Sequence, residues 1–362
     1  IGTVSFMRGG GTRVAIGGAD SSLYEALPPA MAFASPSGYL GARIAKNVSA
    51  EIRVPSSLQD WSDDHRIKYL CSMGDDVAGS FIWGHGSFAQ HMAARRVAPV
   101  AIADVELVYR HLAIASTGSR ARSSAGGKQP KFTCETEEGG HLIVKFARIG
   151  TRSSELLIME HQALRAFSGV GVAAAATRYF ESAEAGLAYL EVARFDRVGR
   201  FGRKGLISAG ALDDEFFGKG DNWIAFAQRC EQAGLIDLSA VHRVRVLTAF
   251  SELIGNNDRH FENLSLITDE RGRPEGVSPA YDMLPTMYSP VGGGIEPPLR
   301  EVAPSFDSLG AEQHVWRAAF DAARAFWDQA SRDPRLSWPM RDVSASNVMV
   351  ISEAVAPLLG GS

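Results

Sequence analysis

Cysteine is scarce in this chain, and so are long apolar runs and any excess of charge of one sign. Cys71, Cys134 and Cys230 are the only three cysteines in 362 residues, and no motif spacing connects them. Such scattered cysteines favour a reducing cytoplasm and argue against a structural zinc site. No apolar stretch approaches the length of a bilayer span and no signal peptide is recognisable, so we expect a cytoplasmic protein with no membrane contact.

The charge balance is nearly even. A formal net charge of -4 gives no general electrostatic reason for nucleic-acid binding, which leaves only a local basic patch as a route to direct binding. With 45% hydrophobic and 22% charged residues, the chain suits one large or two moderate globular domains with substantial cores. It opens on Ile1 instead of Met, which leaves open whether an N-terminal segment is missing.

The most informative stretch lies in the last third of the chain. Asp258 and Asn263 stand five positions apart, and Asp282 follows a predicted β-hairpin over 264–278. Kinases use this order: an Asp that orients or deprotonates the accepting hydroxyl, an Asn that holds Mg²⁺ and a second Asp that binds the metal. The alternative is that these residues are solvated in turns and that His260 is a surface residue.

A second pattern joins a lysine to a glutamate. The predicted strand 141–147 is apolar apart from its ends and Lys145, and a lysine in such a run is costly unless its ammonium meets an anion. In the predicted helix 155–167, Glu160 lies on the apolar face, where an acid is expected to be paired. The alternative for Lys145 is an edge-strand lysine that discourages aggregation. Glu155 lies outside the apolar face, so we expect it to be solvated.

Glycine, serine and lysine are concentrated over 116–131, just before this strand. Glycines let backbone N–H groups approach phosphate oxygens, which would suit a nucleotide-binding loop. The segment is not a Walker A loop, because Gln129 follows Gly127 and Lys128, and Arg122 stands where the first glycine is required. A flexible linker explains the composition equally well.

Three further patterns predict local structure. An apolar strand ending near Ala193 runs into polar residues, as a kinase hinge requires for backbone recognition of adenine, although an ordinary strand end has the same pattern. A strand, a glycine turn and a strand are predicted over 4–16. Later helices have apolar faces that predict core packing, formed by Val241, Val244, Leu247, Ser251 and Ile254 and by Trp316, Phe320, Ala323 and Trp327.

Several of these motifs together resemble a known family. Gly255–His260 with Asn263, followed by Pro279–Leu284, is closely similar to the paired signatures of HipA-type serine/threonine kinases, the toxin components of bacterial toxin–antitoxin modules. Segment 123–131 resembles the phosphate-side loop of that family. Segment 193–197 resembles its hinge, with an alanine in place of a glutamate.

The resemblance implies an α+β, two-lobed protein-kinase-like fold. An N-terminal α+β subdomain would occupy 1–115, a nucleotide-binding lobe 116–195 and a mostly helical catalytic lobe 196–362. We interpret the first region as a scaffold or partner-binding domain, because Asp63, His65, His85 and His91 form no closed metal-ligand pattern. The implied activity is a serine/threonine protein kinase that uses ATP and Mg²⁺.

The implied site residues fall into four groups. Catalysis is assigned to Asp258 as the base, with Lys145, Glu160 and His260 in support. Mg²⁺ is assigned to Asn263 and Asp282. Nucleotide contacts are assigned to Ser123, Ser124, Ala125, Gly126, Gly127, Lys145, Ala193, Phe195 and Asp196. Inhibitory autophosphorylation is assigned to Ser123 or Ser124, because in the family a serine of this loop is modified.

The resemblance also implies partners. Family members phosphorylate aminoacyl-tRNA synthetases and many bind a DNA-binding antitoxin, so we expect a protein substrate and such an antitoxin. A rival hypothesis is a Mg²⁺-dependent nuclease toxin in which Asp258, His260, Asn263 and Asp282 activate water on a phosphodiester. It leaves Lys145 and Glu160 unexplained. A catalytically inactive binding module is a third hypothesis, which the intact acidic residues argue against.

Overall fold

The computed structural model describes residues 2–6, 11–16, 22–117, 129–291, 294–307, 309 and 312–360. Its strands are β1 (Gly2–Phe6), β2 (Thr12–Ile16), β3 (Ser22–Tyr24), β4 (Lys131–Thr136), β5 (Gly140–Arg148), β6 (Thr177–Ser182), β7 (Leu187–Ala193), β8 (Arg197–Val198), β9 (Gly202–Arg203), β10 (Gly205–Ser208), β11 (Ser265–Thr268) and β12 (Pro274–Val277). Its helices are α1 (Pro29–Ala34), α2 (Gly38–Ile52), α3 (Asp63–Met73), α4 (Gly84–Ala94), α5 (Val105–Thr117), α6 (Arg152–Gly169), α7 (Ala209–Phe216), α8 (Trp223–Gln232), α9 (Leu238–Ile254), α10 (Gln313–Arg332) and α11 (Trp338–Val355). Within these ranges, no helix combines the length and apolar character that a membrane crossing requires.

The first of two compact units comprises Ile1–Ala98, Asp196–Asp221 and Ser265–Gly276. Its sheets have the strand orders β1-β2-β3 and β10-β11-β12, and β8 and β9 form a two-stranded ribbon. A buried apolar cluster that includes Met31, Trp61 and Leu70 packs the first three helices together.

The second unit comprises Pro99–Phe195, Asn222–Leu264 and Val277–Ser362. Its four-stranded antiparallel sheet has the order β4-β5-β7-β6. Helix α6 packs on β5, β6 and β7, and α10 packs against α6, α9 and α11. The unit therefore places a sheet, a covering helix and a helical bundle side by side.

Local sequence signals explain where the helices near the site begin and end. Thr151 caps α6 because its hydroxyl accepts the N–H of Ser154 at 3.3 Å. Asp237 caps α9 in the same way, accepting the N–H of Ala240 at 2.8 Å. Helix α9 ends at Gly255, whose φ of +69° is left-handed. A Cβ at Gly255 would collide with the side chain of Met287, so the turn into the next segment requires glycine.

Several local predictions are confirmed. Strands β1 and β2 pair antiparallel, as predicted over 4–16. Strands β11 and β12 are hydrogen-bonded neighbours, as the hairpin prediction required. The apolar faces of α9 and α10 lie in the core, where Val244, Trp316 and Trp327 are all fully buried.

The expected solvation of Glu155 is wrong. Its side chain is buried, and Oε1 accepts the N–H of Ser337 at 2.7 Å, at the start of α11. Oε2 lies 3.4 Å from Nε of Arg152. The apolar pattern of α6 did not predict this position because Ser337 is 182 residues away in the sequence. Glu155 therefore attaches α6 to α11 instead of facing solvent.

Replacement of Glu155 by alanine should lower the free energy of unfolding by about 2 kcal/mol, because the Ser337 N–H loses its buried acceptor and Arg152 loses a carboxylate. Chemical denaturation measures this loss. The exposed Glu353 on α11 is a matched control, since Glu353→Ala should change stability by less than about 0.5 kcal/mol. Equal stabilities of the two variants would show that the Glu155 contacts contribute nothing.

Candidate active site

Lys145 and Glu160 form a buried ion pair in the second unit. Lys145 lies on β5 and Glu160 on α6, and Nζ donates to Oε1 and Oε2 at 2.7 Å each. The Lys145 and Glu160 side chains are 7% and 1% exposed. Nζ also donates to Oδ1 of Asp282. Because an ammonium has three N–H groups, these three oxygens satisfy Lys145 completely.

Burial and charge shift the pKa values of this group in different directions. Burial alone would lower the pKa of Lys145, but the carboxylates of Asp282 and Glu160 raise it above its ordinary value. Burial alone would raise the pKa of Asp282, but Lys145 and then Lys131 lower it below its ordinary value. For Glu160, burial raises the pKa more than Lys145 lowers it. Lys145 and Asp282 are therefore charged at neutral pH.

Asp282 has a conformation that is uncommon for a residue with a side chain. Its φ is +52°, in the left-handed region that aspartate tolerates better than most residues. Hydrogen bonds fix the two residues that precede Asp282: Ala280 forms a β-bridge with Ala174, and the Tyr281 hydroxyl donates to the Glu262 carbonyl at 2.9 Å. The Asp282 side chain is 31% exposed, so an incoming ligand can reach its carboxylate.

The loop after α9 brings Asp258, His260 and Asn263 together. Nδ2 of Asn263 donates to the Asp258 carbonyl at 2.9 Å and lies 3.5 Å from Asp258 Oδ2. Nε2 of His260 lies 3.5 Å from Asp258 Oδ1. The Trp223 indole N–H donates to the His260 carbonyl at 3.1 Å and holds the loop from the other side. The Asp258 side chain is exposed, so a ligand can reach its carboxylate.

The donor atoms fit a magnesium nucleotide. The Asp282 carboxylate and the Asn263 amide oxygen are the hard oxygen ligands that Mg²⁺ prefers, and phosphate oxygens would complete the set. Across the ranges described above, no three His, Cys, Asp or Glu side chains are grouped so that they could hold a metal by themselves. A metal here would therefore depend on oxygens from a ligand.

The predicted hinge residues fall in different surroundings. The Ala193 N–H donates to the Ala176 carbonyl at 2.8 Å. The ring of Phe195 lies 5.6 Å from that of Tyr281. Asp196 belongs to the first unit, where its buried carboxylate accepts the Gly79 N–H at 3.0 Å. The structure thus gives Asp196 a partner within the first unit.

The predicted phosphate-side loop cannot be placed in the same way. Ser123, Ser124, Ala125, Gly126 and Gly127 all lie outside the described residues, so their roles stay predictions. Described residues just beyond them are anchored to β5: the Gln129 side chain donates to the Phe146 carbonyl, and the Phe146 N–H donates to the Pro130 carbonyl.

Two residues of the site, Lys131 and Thr286, were given no individual role from the sequence. Lys131 stands directly opposite Lys145 in the β4–β5 register and contributes to lowering the Asp282 pKa. Thr286 contacts the loop that carries Asp258 through Asn257. The strand pairing could have indicated Lys131, because residues directly opposite in antiparallel strands share a face. No local signal indicated Thr286.

Lys145 and Glu160 should act as one unit. A double-mutant cycle with Lys145→Met and Glu160→Gln, measured on stability and on ATP affinity, should show a coupling free energy of about 2 kcal/mol, since either change leaves a buried charged or polar group without its partner. The surface pair Arg332 and Asp328, at 2.7 Å on α10, is the control. Its cycle should give about 0.5 kcal/mol or less. Additive losses at Lys145 and Glu160 would show that they act separately.

Comparison with a solved structure supports the fold. A solved structure described as the HipA, HipB and operator DNA complex of the Shewanella oneidensis MR-1 toxin–antitoxin system matches with a TM-score of 0.59 and 14% identity, covering 99% of this chain and 95% of that one. The predicted α+β, HipA-like fold class is confirmed.

Sequence comparisons identify the family. The model of the HipA-like C-terminal domain matches residues 123–338, and the model of the middle domain of YjjJ-like toxins matches residues 1–92. Toxin YjjJ of Escherichia coli K12 is 30% identical over 356 residues, which cover 94% of this chain and 79% of that protein. The chain belongs to the HipA-like toxin family.

Proposed function

We propose that this chain is a Mg²⁺- and ATP-dependent serine/threonine protein kinase. The observation that carries the proposal is the buried Lys145–Glu160 pair in contact with Asp282, together with the Asp258 and Asn263 pair on one loop. In kinases a lysine held by a helix glutamate binds ATP phosphates, and two acids and an asparagine serve the base and the metal. A nuclease would need no buried lysine–glutamate pair.

Each residue has a defined task in this proposal. Lys145, oriented by Glu160, would bind phosphate oxygens, and the Asp282 carboxylate would be one of the groups that hold Mg²⁺. Asn263 would supply a second ligand to the metal, and its amide N–H holds Asp258, which accepts the proton of the substrate hydroxyl in this proposal. When bound, Mg²⁺ would neutralise charge on the transferred phosphoryl group. His260 lies beside Asp258 and supports the loop.

The substrate and partner proposals depend on similarity. The Shewanella HipA was solved with HipB and operator DNA, and on that basis we propose a DNA-binding antitoxin as a partner of this chain. We propose a protein hydroxyl as the acceptor, with an aminoacyl-tRNA synthetase as the first target to test. Ser123 or Ser124 is the proposed site of inhibitory autophosphorylation, since a phosphate there would add about two negative charges beside those of ATP.

One experiment separates the kinase from the nuclease hypothesis. The chain is incubated with γ-labelled ATP and Mg²⁺, and plasmid DNA is incubated with the chain and Mg²⁺ in parallel. The kinase proposal expects labelled protein and intact plasmid. Nicked plasmid without labelled protein would support the nuclease.

Autophosphorylation is tested by peptide mapping after ATP treatment. Phosphate should appear on Ser123 or Ser124, and the purified phosphorylated form should turn over ATP more slowly, because the added charge repels the nucleotide phosphates. Absence of phosphate from both serines would refute the site. Unchanged turnover of the phosphorylated form would refute the inhibitory role.

A further inference from the structure

The hydroxyl of Thr286 lies between two functional segments. Thr286 follows Asp282 by four residues, yet its Oγ1 accepts the Asn257 N–H at 2.9 Å. Oγ1 is 2.7 Å from Oδ1 of Asn257 and 3.1 Å from Oδ1 of Asn256. Because a hydroxyl carries one proton, the closer Asn257 oxygen receives it. A single side chain thus bonds to Asn257 and lies beside Asn256, the two asparagines that precede Asp258.

Asn256, which lies beside the Thr286 hydroxyl, bonds to the backbone of Asp258. Its side chain is buried, and Oδ1 accepts the Asp258 N–H at 3.0 Å. Its Nδ2 lies 3.6 Å from Sδ of Met283, the residue after Asp282. The backbone direction at Asp258, and with it the position of the carboxylate, therefore depends on where Asn256 is held.

A backbone bond completes the connection. The Met287 N–H donates to the Gly255 carbonyl at 3.1 Å. Three hydrogen bonds thus join segment 255–258 to segment 283–287: the Thr286 hydroxyl accepts one from the Asn257 N–H and donates one to Asn257 Oδ1, and Met287 donates the third. The Met287 bond joins two backbone groups. The Thr286 bonds, in contrast, are lost when one side-chain oxygen is removed, and that oxygen belongs to neither Asp258 nor Asp282.

We propose that Thr286 is a positioning residue that fixes the Asp258 loop against the segment carrying Asp282. The proposal rests on the proposed kinase function for its catalytic consequence. Thr286 touches neither nucleotide nor acceptor in this proposal. It acts by holding the base and the metal-binding carboxylate in one arrangement, and small displacements of such groups reduce turnover strongly.

The test uses two variants. Thr286→Val keeps the branched shape and removes the hydroxyl, whereas Thr286→Ser keeps the hydroxyl and removes the methyl group. Thr248→Val is the matched control, because Thr248 bonds only to the Val244 carbonyl of its own helix at 2.9 Å in the described contacts. Residue-resolved amide exchange is measured at Asn257 and Asp258 in the full chain. Turnover and the KM for Mg·ATP are measured on the same preparations.

In Thr286→Val, the Asn257 and Asp258 amides should exchange about tenfold faster, since both hydrogen bonds of the Thr286 hydroxyl to the loop are lost. The kcat should fall at least about tenfold while the KM for Mg·ATP stays within about threefold, because the nucleotide contacts remain. Thr286→Ser and Thr248→Val should match the unmodified chain within about threefold in exchange, kcat and KM.

Three results would overturn the proposal. These are unchanged exchange at Asn257 and Asp258 in Thr286→Val, equal losses in Thr286→Ser, and faster exchange with unchanged kcat. An unmodified chain that transfers no phosphate would contradict the proposed kinase function. The exchange comparison would then still decide whether Thr286 holds the loop.

Discussion

Replacement of Asp258 by alanine is expected to lower phosphoryl transfer by at least about a thousandfold, because placement of the base provides much of the barrier lowering in kinases. Asp258 is exposed, and its loop is held by Asn263 and by the Trp223 bond to His260. The loop should therefore keep its conformation when the carboxylate is removed. Initial rates with γ-labelled ATP measure the loss.

The control for Asp258→Ala is Asp342→Ala, which removes an exposed carboxylate from α11. It should leave the rate within about twofold of the unmodified chain, because the residue lies on a solvated helix face. Near-parental turnover of Asp258→Ala would show that Asp258 is not the base.

Removal of the Asp282 carboxylate should have an effect of similar size, at least about a thousandfold on transfer, because the metal that neutralises phosphate charge loses a ligand. Unlike Asp258→Ala, this change should also weaken Mg·ATP binding. Asp282→Asn is the preferred variant, since asparagine tolerates the left-handed φ of +52°. Asp282→Ala adds backbone strain at the same position.

Binding and rate together distinguish the role of Asp282. ATP affinity is measured by titration calorimetry with Mg²⁺ and with EDTA. In the unmodified chain Mg²⁺ should strengthen binding, and in Asp282→Asn most of that gain should be lost. If Asp282→Asn kept both the gain from Mg²⁺ and near-parental turnover, the metal assignment would be wrong.

The sequence could predict the parts of this site that depend on local pattern. Lys145 in an apolar strand and Glu160 on an apolar helix face each required a buried partner, and the structure brings the two together. The hairpin between Asn263 and Asp282 followed from turn formers between apolar runs. Such features are set by the alternation of polar and apolar residues, which is visible in the chain itself.

Contacts between residues far apart in the chain could not be predicted in this way. Glu155 accepts a hydrogen bond from Ser337 across 182 residues, and Asp282 reaches Lys145 across 137. Asp196, read as a hinge residue, bonds to Gly79, which lies 117 positions earlier. The periodicity of one helix or strand carries no information about such partners. The division into 1–115, 116–195 and 196–362 and the roles of Ser123 to Gly127 remain predictions.

The most direct test of the central claim compares label transfer by the unmodified chain and by Asp258→Asn at saturating Mg·ATP. We expect the unmodified chain to move the γ-phosphate onto a protein hydroxyl. Asp258→Asn should bind ATP with the same affinity and transfer at least about a thousandfold more slowly, because only the base is changed. Equal transfer by the two proteins, or ATP binding without transfer by the unmodified chain, would contradict the assignment of this site as a kinase centre.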